Sequence, residues 1–187
     1  DSLIAQSQFL YSDFEPAISR GYQALAIFEQ LGDIAGQSRA LYTLCWAHWF
    51  ADNFVEAIEF GRSSQKLAQE IKDQALEADI LNNLGLVYKR TGNHELAYNV
   101  YGEALALYRK LGDKLRECKV LTNMALAYSL EGQFDNAQAC VDECLIIEIE
   151  NTLIEGYTNL ALGQICAGTQ RYDGALQYLQ QAVDVAN

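Results

Sequence analysis

Proline is nearly absent from this chain. One residue, Pro16, stands among 187. No stretch rich in glycine, serine and proline divides the sequence, so no long linker between domains is expected. Val, Ile and Thr do not cluster into alternating runs, and the main signal for strands is missing. No segment approaches the roughly 20 apolar residues that a membrane-spanning helix needs. Basic residues are scarce: 13 Lys and Arg stand against 25 Asp and Glu, a formal net charge of −12. Such a chain repels nucleic-acid phosphates and anionic lipid, which argues against nonspecific binding to either. The acidity itself reads as a solvated outer surface.

Catalytic and metal-binding patterns are also lacking. The five cysteines, Cys45, Cys118, Cys140, Cys144 and Cys166, are an odd number without a paired framework. Reduced, buried thiols in a cytoplasmic compartment fit them better than disulfides. Cys140 and Cys144 stand four apart, but no histidine or further cysteine pair lies at ligand spacing. No Ser/His/Asp set, phosphate loop or nucleotide fingerprint occurs. No enzyme activity, cofactor or metal is therefore expected. The chain begins at Asp1 with no signal-like segment, which suggests a piece of a longer protein, with targeting information outside it.

What the chain does have is a repeat. Half of its residues are apolar, and Ala, Leu, Gln and Glu are plentiful. One alanine recurs at Ala17, Ala57, Ala97, Ala137 and Ala175, at spacings of 40, 40, 40 and 38. Three residues before each stands a ring: Phe14, Phe54, His94, Phe134 and Tyr172. Seven after each stands a small residue: Ala24, Ser64, Ala104, Cys144 and Ala182. "LGD" recurs at 31–33 and 111–113, with "IKD" at 71–73. Self-similarity at such a period is the mark of a solenoid.

Each unit reads as two helices. Small residues such as Cys45, Gly85 and Ala125 let their backbones approach, and Tyr88 and Tyr128 fill the space beside them. Gly92 and Gly132 end the first helix in a left-handed conformation. Asp13, Asn53 and Asn93 are candidate caps for the second helix. Pro16 falls in a first turn, where its missing N–H costs nothing. The expectation is an all-α, right-handed helical-hairpin solenoid of about ten antiparallel helices. It forms a single domain with units near 1–33 (partial), 34–73, 74–113, 114–151 and 152–187. In the last unit, "YTNLALGQICAG" aligns with "LTNMALAYSLEG" at an offset of 36, whereas Tyr172 and Ala175 lie at 38. That mismatch predicts a turn two residues longer at Thr169–Arg171, a connection about four residues shorter around Glu150–Glu155, and a change of pitch. His48 stands where the repeat places tyrosine, and reads as a packed core histidine.

"NNLGLVYKRTGNHELAYNVYGEALALY", with Leu84, Gly85, Tyr88, Gly92, Ala97, Tyr101 and Ala104 in order, resembles the tetratricopeptide repeat family. The family's usual unit is about 34 residues. The longer unit here is similar to repeats of bacterial signalling regulators, kinesin light chains and G-protein-signalling modulators. The resemblance implies that the first helix of each unit lines a concave groove. Carried over unit by unit, the groove holds Arg39, Tyr42, Thr43, Trp46, Trp49 and Phe50. It continues with Asp79, Asn82, Asn83, Leu86, Lys89 and Arg90, then Lys119, Thr122, Asn123, Leu126, Ser129 and Leu130. The last unit adds Glu155, Thr158, Asn159, Leu162 and Ile165. Candidate peptide-binding residues are Arg39, Tyr42, Trp46, Trp49, Asn82, Asn83, Lys89, Arg90, Lys119, Asn123 and Asn159.

Asn83, Asn123 and Asn159 are read as equivalent positions. Their amides suit an extended peptide backbone, and the alternative is that they bond only to the neighbouring helix. Trp46 and Trp49, three apart, share a helix face, either against the incomplete first unit or toward a ligand. Four basic residues against Asp79 and Glu155 make the groove mildly positive, which favours an acidic ligand. The carboxylate-gripping pattern of chaperone-binding relatives is missing, since Asp79 occupies the corresponding place. The expected function is a protein- or peptide-binding module, the sensory or docking region of a larger bacterial signalling protein. The alternative is a structural scaffold or dimerisation module with no groove ligand.

Overall fold

In the computed structural model of the chain, residues 14–147 and 151–186 are described. Among them lie nine helices and no strand: α1 (Glu15–Leu31), α2 (Ile34–Phe50), α3 (Phe54–Glu70), α4 (Gln74–Arg90), α5 (His94–Leu111), α6 (Lys114–Leu130), α7 (Phe134–Ile146), α8 (Thr152–Gly168) and α9 (Tyr172–Ala186). Pro16 is in the first turn of α1.

The recurring aspartate of "LGD" and "IKD" sets where the first helix of each unit starts. Asp33 Oδ1 accepts from the Gly36 amide at 2.9 Å, Asp73 Oδ1 from Leu76 at 3.1 Å, and Asp113 Oδ1 from Arg116 at 3.0 Å. Asn151 does the same for Ile154 at 3.1 Å. Each satisfies one of the orphan N–H groups of a helix start. The caps expected on the second helices are not found where described. Asn53 makes no side-chain cap bond, the Asn93 amide nitrogen donates to Thr91 Oγ1, and Asp13 lies outside the described residues. The three-residue turn is closed by backbone instead, as in the Asn53 amide to His48 oxygen and the Asn93 amide to Tyr88 oxygen, each 2.9 Å.

That closure needs one left-handed residue. Gly92 and Gly132 supply it at φ 74° and 71°, while Asp52 and Gln170 hold the same place at φ 57° and 61°. Lys72 stands at φ 59° where the neighbouring connections have Gly32 and Gly112.

The described residues divide into two compact units, split between Ala104 and Leu105. In the first unit α1 packs on α2, α2 on α3 and α4, and α3 on α4. Its contacts pair large with small side chains. Leu44 sits against Gly21, Leu84 against Gly61, and the Tyr101 ring against Gly85. The Ser38 and Ser64 hydroxyls each donate to the other's carbonyl, at 2.9 and 2.7 Å. His48 is buried, stacked on Phe60 at 5.2 Å and edge-on to Tyr22 at 6.3 Å. Burial holds its pKa below the ordinary value, against Glu56 and Glu15.

In the second unit α6 packs on α7 and α8, α7 on α8, and α8 on α9. Cys118 and Cys144 repeat the serine pair in sulfur, with Cys118 Sγ donating to the Cys144 oxygen at 3.5 Å. All five cysteines are buried thiols, and burial pushes those of Cys45 and Cys118 up to about 12.

The last repeat corrects the sequence alignment. The first helices α2, α4, α6 and α8 begin at 34, 74, 114 and 152, each 17 residues long. The turn at 169–171 has three residues, like those at 51–53, 91–93 and 131–133. It is not longer. The offset of α8 is therefore 38 throughout, and the chain is two residues shorter between Ala137 and Asn151; residues 148–150 are outside the described part. The Asn151 cap and the seat of Leu179 on Gly163 set the register, overriding the local likeness of "YTNLAL" to "LTNMAL".

Candidate functional site

The richest first-helix face lies in the first unit, on α2 and α4. Trp46, Trp49 and Phe50 form an aromatic layer on α2. The two indoles meet edge to face at 5.3 Å, Phe50 stacks on Trp46 at 5.5 Å, and Phe14 stacks on Phe50 at 6.0 Å. Both indoles are half-buried and Phe50 is exposed, so the layer packs on the first unit and still reaches the surface. Trp49 Nε1 is buried without an acceptor among the described residues.

Tyr42 lies one turn before Trp46. Burial pushes its phenol up to about 12; the nearby Trp46 and Asn83 side chains oppose the rise and Asp79 adds to it. Asn82 and Asn83 are buried, with Asn82 Nδ2 3.4 Å from Asn83 Oδ1. The Asn83 amide nitrogen has no acceptor within hydrogen-bonding distance, although it lies near enough to Tyr42 to act on its phenol. These amides form the floor of the face.

The cations stand above that floor. Lys89 is half-buried, and burial lowers its pKa. It makes no ion pair among the described residues. A half-buried ammonium without a carboxylate is costly, because desolvation is not offset. Arg90 is exposed and only 3.8 Å from Asp52 at closest. A pair so open to water contributes little. Arg39 is exposed at the other end of α2. With Asp79 the single acid of the set in this unit, the face carries a basic excess.

The second unit offers less. Lys119 is exposed and Asn123 buried on α6. Asn159 is half-buried on α8, but it is not the counterpart of Asn83 and Asn123. At an offset of 38 that place belongs to Ala161. Thr158 and Ile165, expected on the face, are buried in the core. The register instead puts Tyr157, Leu160 and Gln164 there, and Gln164 Oε1 is buried without a donor among the described residues. The signal in the sequence was Asn151, read as connection rather than as the cap it is. Among the described residues no group of three or more His, Cys, Asp or Glu could hold a metal ion, and no helix is long and apolar enough to cross a membrane.

Known proteins agree with this architecture. The sequence profile of the Tetratricopeptide repeat family matches residues 76–147 and 116–187. No curated protein matches the chain. Among solved structures, BtubC (BKLC) from P. vanneervenii superposes with a TM-score of 0.83 at 22% identity, over 99% of this chain and 78% of that one. A putative kinesin light chain from Podosopora anserina, with nearly identical TPR-like repeats, gives 0.75 at 14%, over 98% and 92%. Rap protein complexed with Competence and Sporulation Factor gives 0.77 at 12%, over 98% and 61%. At these identities the likeness is one of fold.

Proposed function

The chain belongs to the tetratricopeptide repeat family, and on that premise we propose that it is a non-catalytic module binding a peptide or protein segment. The ligand lies on the first-helix face, with its tightest hold in the first unit. The observation that carries this is Lys89, a half-buried cation that makes no ion pair among the described residues, on the helix packed against the one bearing the Trp46–Trp49–Phe50 layer. A ligand carboxylate supplies the missing charge, and an apolar or aromatic side chain next to it covers the indoles. Arg39, Tyr42, Trp46, Trp49, Lys89 and Arg90 make the contacts; Asn82 and Asn83 are the floor. In the second unit Lys119 and Asn123 hold the corresponding places, and Asn159 is peripheral. Rap, whose solved complex contains Competence and Sporulation Factor, shares the fold. That supports a sensory or docking role in a larger cytoplasmic signalling protein of a bacterium.

The burial of Asn82, Asn83 and Asn123 favours the second reading, a scaffold that takes no ligand on this face. Intrinsic fluorescence separates the two, because the chain has two tryptophans and both are on α2. Titration with glutamate-rich, neutral and lysine-rich peptides is the test. The glutamate-rich peptide should shift the emission, more weakly as salt is added. Lys89→Glu with Arg90→Glu should weaken that binding about tenfold or more, since a close charge pair is replaced by repulsion. If no peptide moves the emission, or the lysine-rich one binds best, the reading fails.

A further inference from the structure

Cys118 on α6 and Cys144 on α7 form a buried pair of thiols. Cys118 Sγ donates to the Cys144 oxygen at 3.5 Å, and Cys144 Sγ to the Cys118 oxygen at 3.9 Å. Each sulfur thus lies against the other's main chain, which is the close approach of backbones that a disulfide demands. The corresponding serines show how near the side-chain ends come. Ser38 and Ser64 make the same reciprocal bonds, and their hydroxyls are 3.3 Å apart.

The two cysteines differ in access. Cys118 is 0% exposed and Cys144 4%. Helix α7 has 13 residues, whereas the equivalent α3 has 17. Cys144 therefore stands in the final turn of its helix, ending at Ile146, while Ser64 is well inside α3, which runs to Glu70. A helix end opens locally at far less cost than the chain unfolds. In the closed hairpin the pair is inert. Thiolate is the reacting form, and burial, Cys144 and Glu117 hold Cys118 protonated against the pull of Lys114. Opening of the last turn of α7 uncovers Cys144 first and leaves Cys118 beside it on α6. A thiol with a resolving thiol at hand is the arrangement of a redox sensor.

We propose that Cys118 and Cys144 are a hydroperoxide-responsive latch, which forms a disulfide between α6 and α7 when the end of α7 opens. The Cys144 thiolate attacks one peroxide oxygen. The O–O bond breaks, the S–O bond of a sulfenic acid forms, and the departing hydroxide takes up the proton that the thiol released. The Cys118 sulfur then displaces the hydroxyl. The S–S bond forms, the S–O bond breaks, and the Cys118 proton leaves in a second water. Two thiols give up two electrons and two protons, and hydrogen peroxide is reduced to two waters. The inference is independent of the peptide-binding face.

Hydrogen peroxide added to the whole chain tests it. Thiols labelled under denaturing conditions should fall from five by two, and dithiothreitol should restore them. Peptide mapping should link Cys118 to Cys144. The crosslink closes a loop of 26 residues, so the oxidised chain should melt roughly 5 °C or more above the reduced one. Urea below the unfolding transition should speed the reaction, since opening precedes it. Cys118→Ala should leave a sulfenic acid on Cys144, trapped by dimedone. Cys144→Ala should slow oxidation of Cys118 about tenfold or more. Both variants should fold, because Ala78 and Ala104 fill the same places in the repeat, fully buried. If exposure alone decides, Cys140 reacts first, being the most open of the five at 9%. That result overturns the proposal. So does the survival of all five thiols, a disulfide between any other pair, or an oxidised chain that melts no higher than the reduced one.

Discussion

Alanine in place of glycine should have opposite effects at two sites 17 residues apart. Gly85 lies in α4 against the Tyr101 ring. A Cβ there would sit 2.3 Å from Cε1 and 2.6 Å from Cδ1 and Cζ, far inside the 3.5–4.0 Å at which carbon atoms attract. Tyr101 has little room to yield, because it is fully buried. Overpacking of this kind costs about 1–3 kcal/mol, and so severe an overlap belongs at the upper end. Alanine returns about 1 kcal/mol of helix propensity. The net is a loss of about 2 kcal/mol, or roughly 4–8 °C in melting temperature for a chain of this size. Gly102, in α5, meets nothing within 4 Å and is exposed. There alanine keeps only the propensity gain, about 0.5–1 kcal/mol, or roughly 1–4 °C upward. Thermal and urea unfolding followed by circular dichroism measure both. If Gly85→Ala melts at or above the parent, or both variants move the same way, the seat of Tyr101 on α4 is not the tight contact described.

Lys72→Gly removes a non-glycine residue from φ 59°. It should stabilise by about 0.5–1 kcal/mol, since a left-handed residue costs roughly 1–2 kcal/mol and glycine returns part of that through the unfolded chain; urea midpoints measure it. Glu117 is buried, which alone would raise its pKa, but hydrogen bonds from Lys114 and Arg109 outweigh burial and hold it below the usual carboxylate value. Its folded pKa being the lower one, the stabilisation is full above the unfolded value and is lost as pH falls through the folded value. Glu117→Gln should therefore melt below the parent at neutral pH, and the gap should close in acid. The buried His48 ring has a lowered pKa, so its contribution is present above the ordinary histidine value and is lost as pH falls through the folded one. His48→Tyr, the residue the repeat favours there, should flatten the fall in melting temperature between pH 7 and pH 5.

Periodicity alone determined the all-helical repeat. Rings, small residues and alanines recurring every 40 positions leave a chain of two-helix units as the one arrangement that buries them together. His48 and the left-handed turns at Gly92 and Gly132 were legible for the same reason, each being fixed by its place in the unit. The helix caps were not. Aspartate and asparagine flank both helices of a unit, and composition does not say which carboxylate reaches an unpaired N–H. Backbone closure at the three-residue turn, visible only in the folded chain, leaves the capping to Asp33, Asp73, Asp113 and Asn151. The register of α8 was likewise decided by packing, because Leu179 is seated on Gly163, whereas the likeness to α6 is a match of four side chains in sequence alone. The candidate face divided along the same line. Helical spacing put Trp46 beside Trp49 and Lys89 beside Arg90. Tertiary contact decided the rest, bringing Asn83 near Tyr42, burying Asn82, and leaving Lys89 half-buried with no ion pair among the described residues. Burial and pairing across helices depend on distance in space, which a one-dimensional period does not encode.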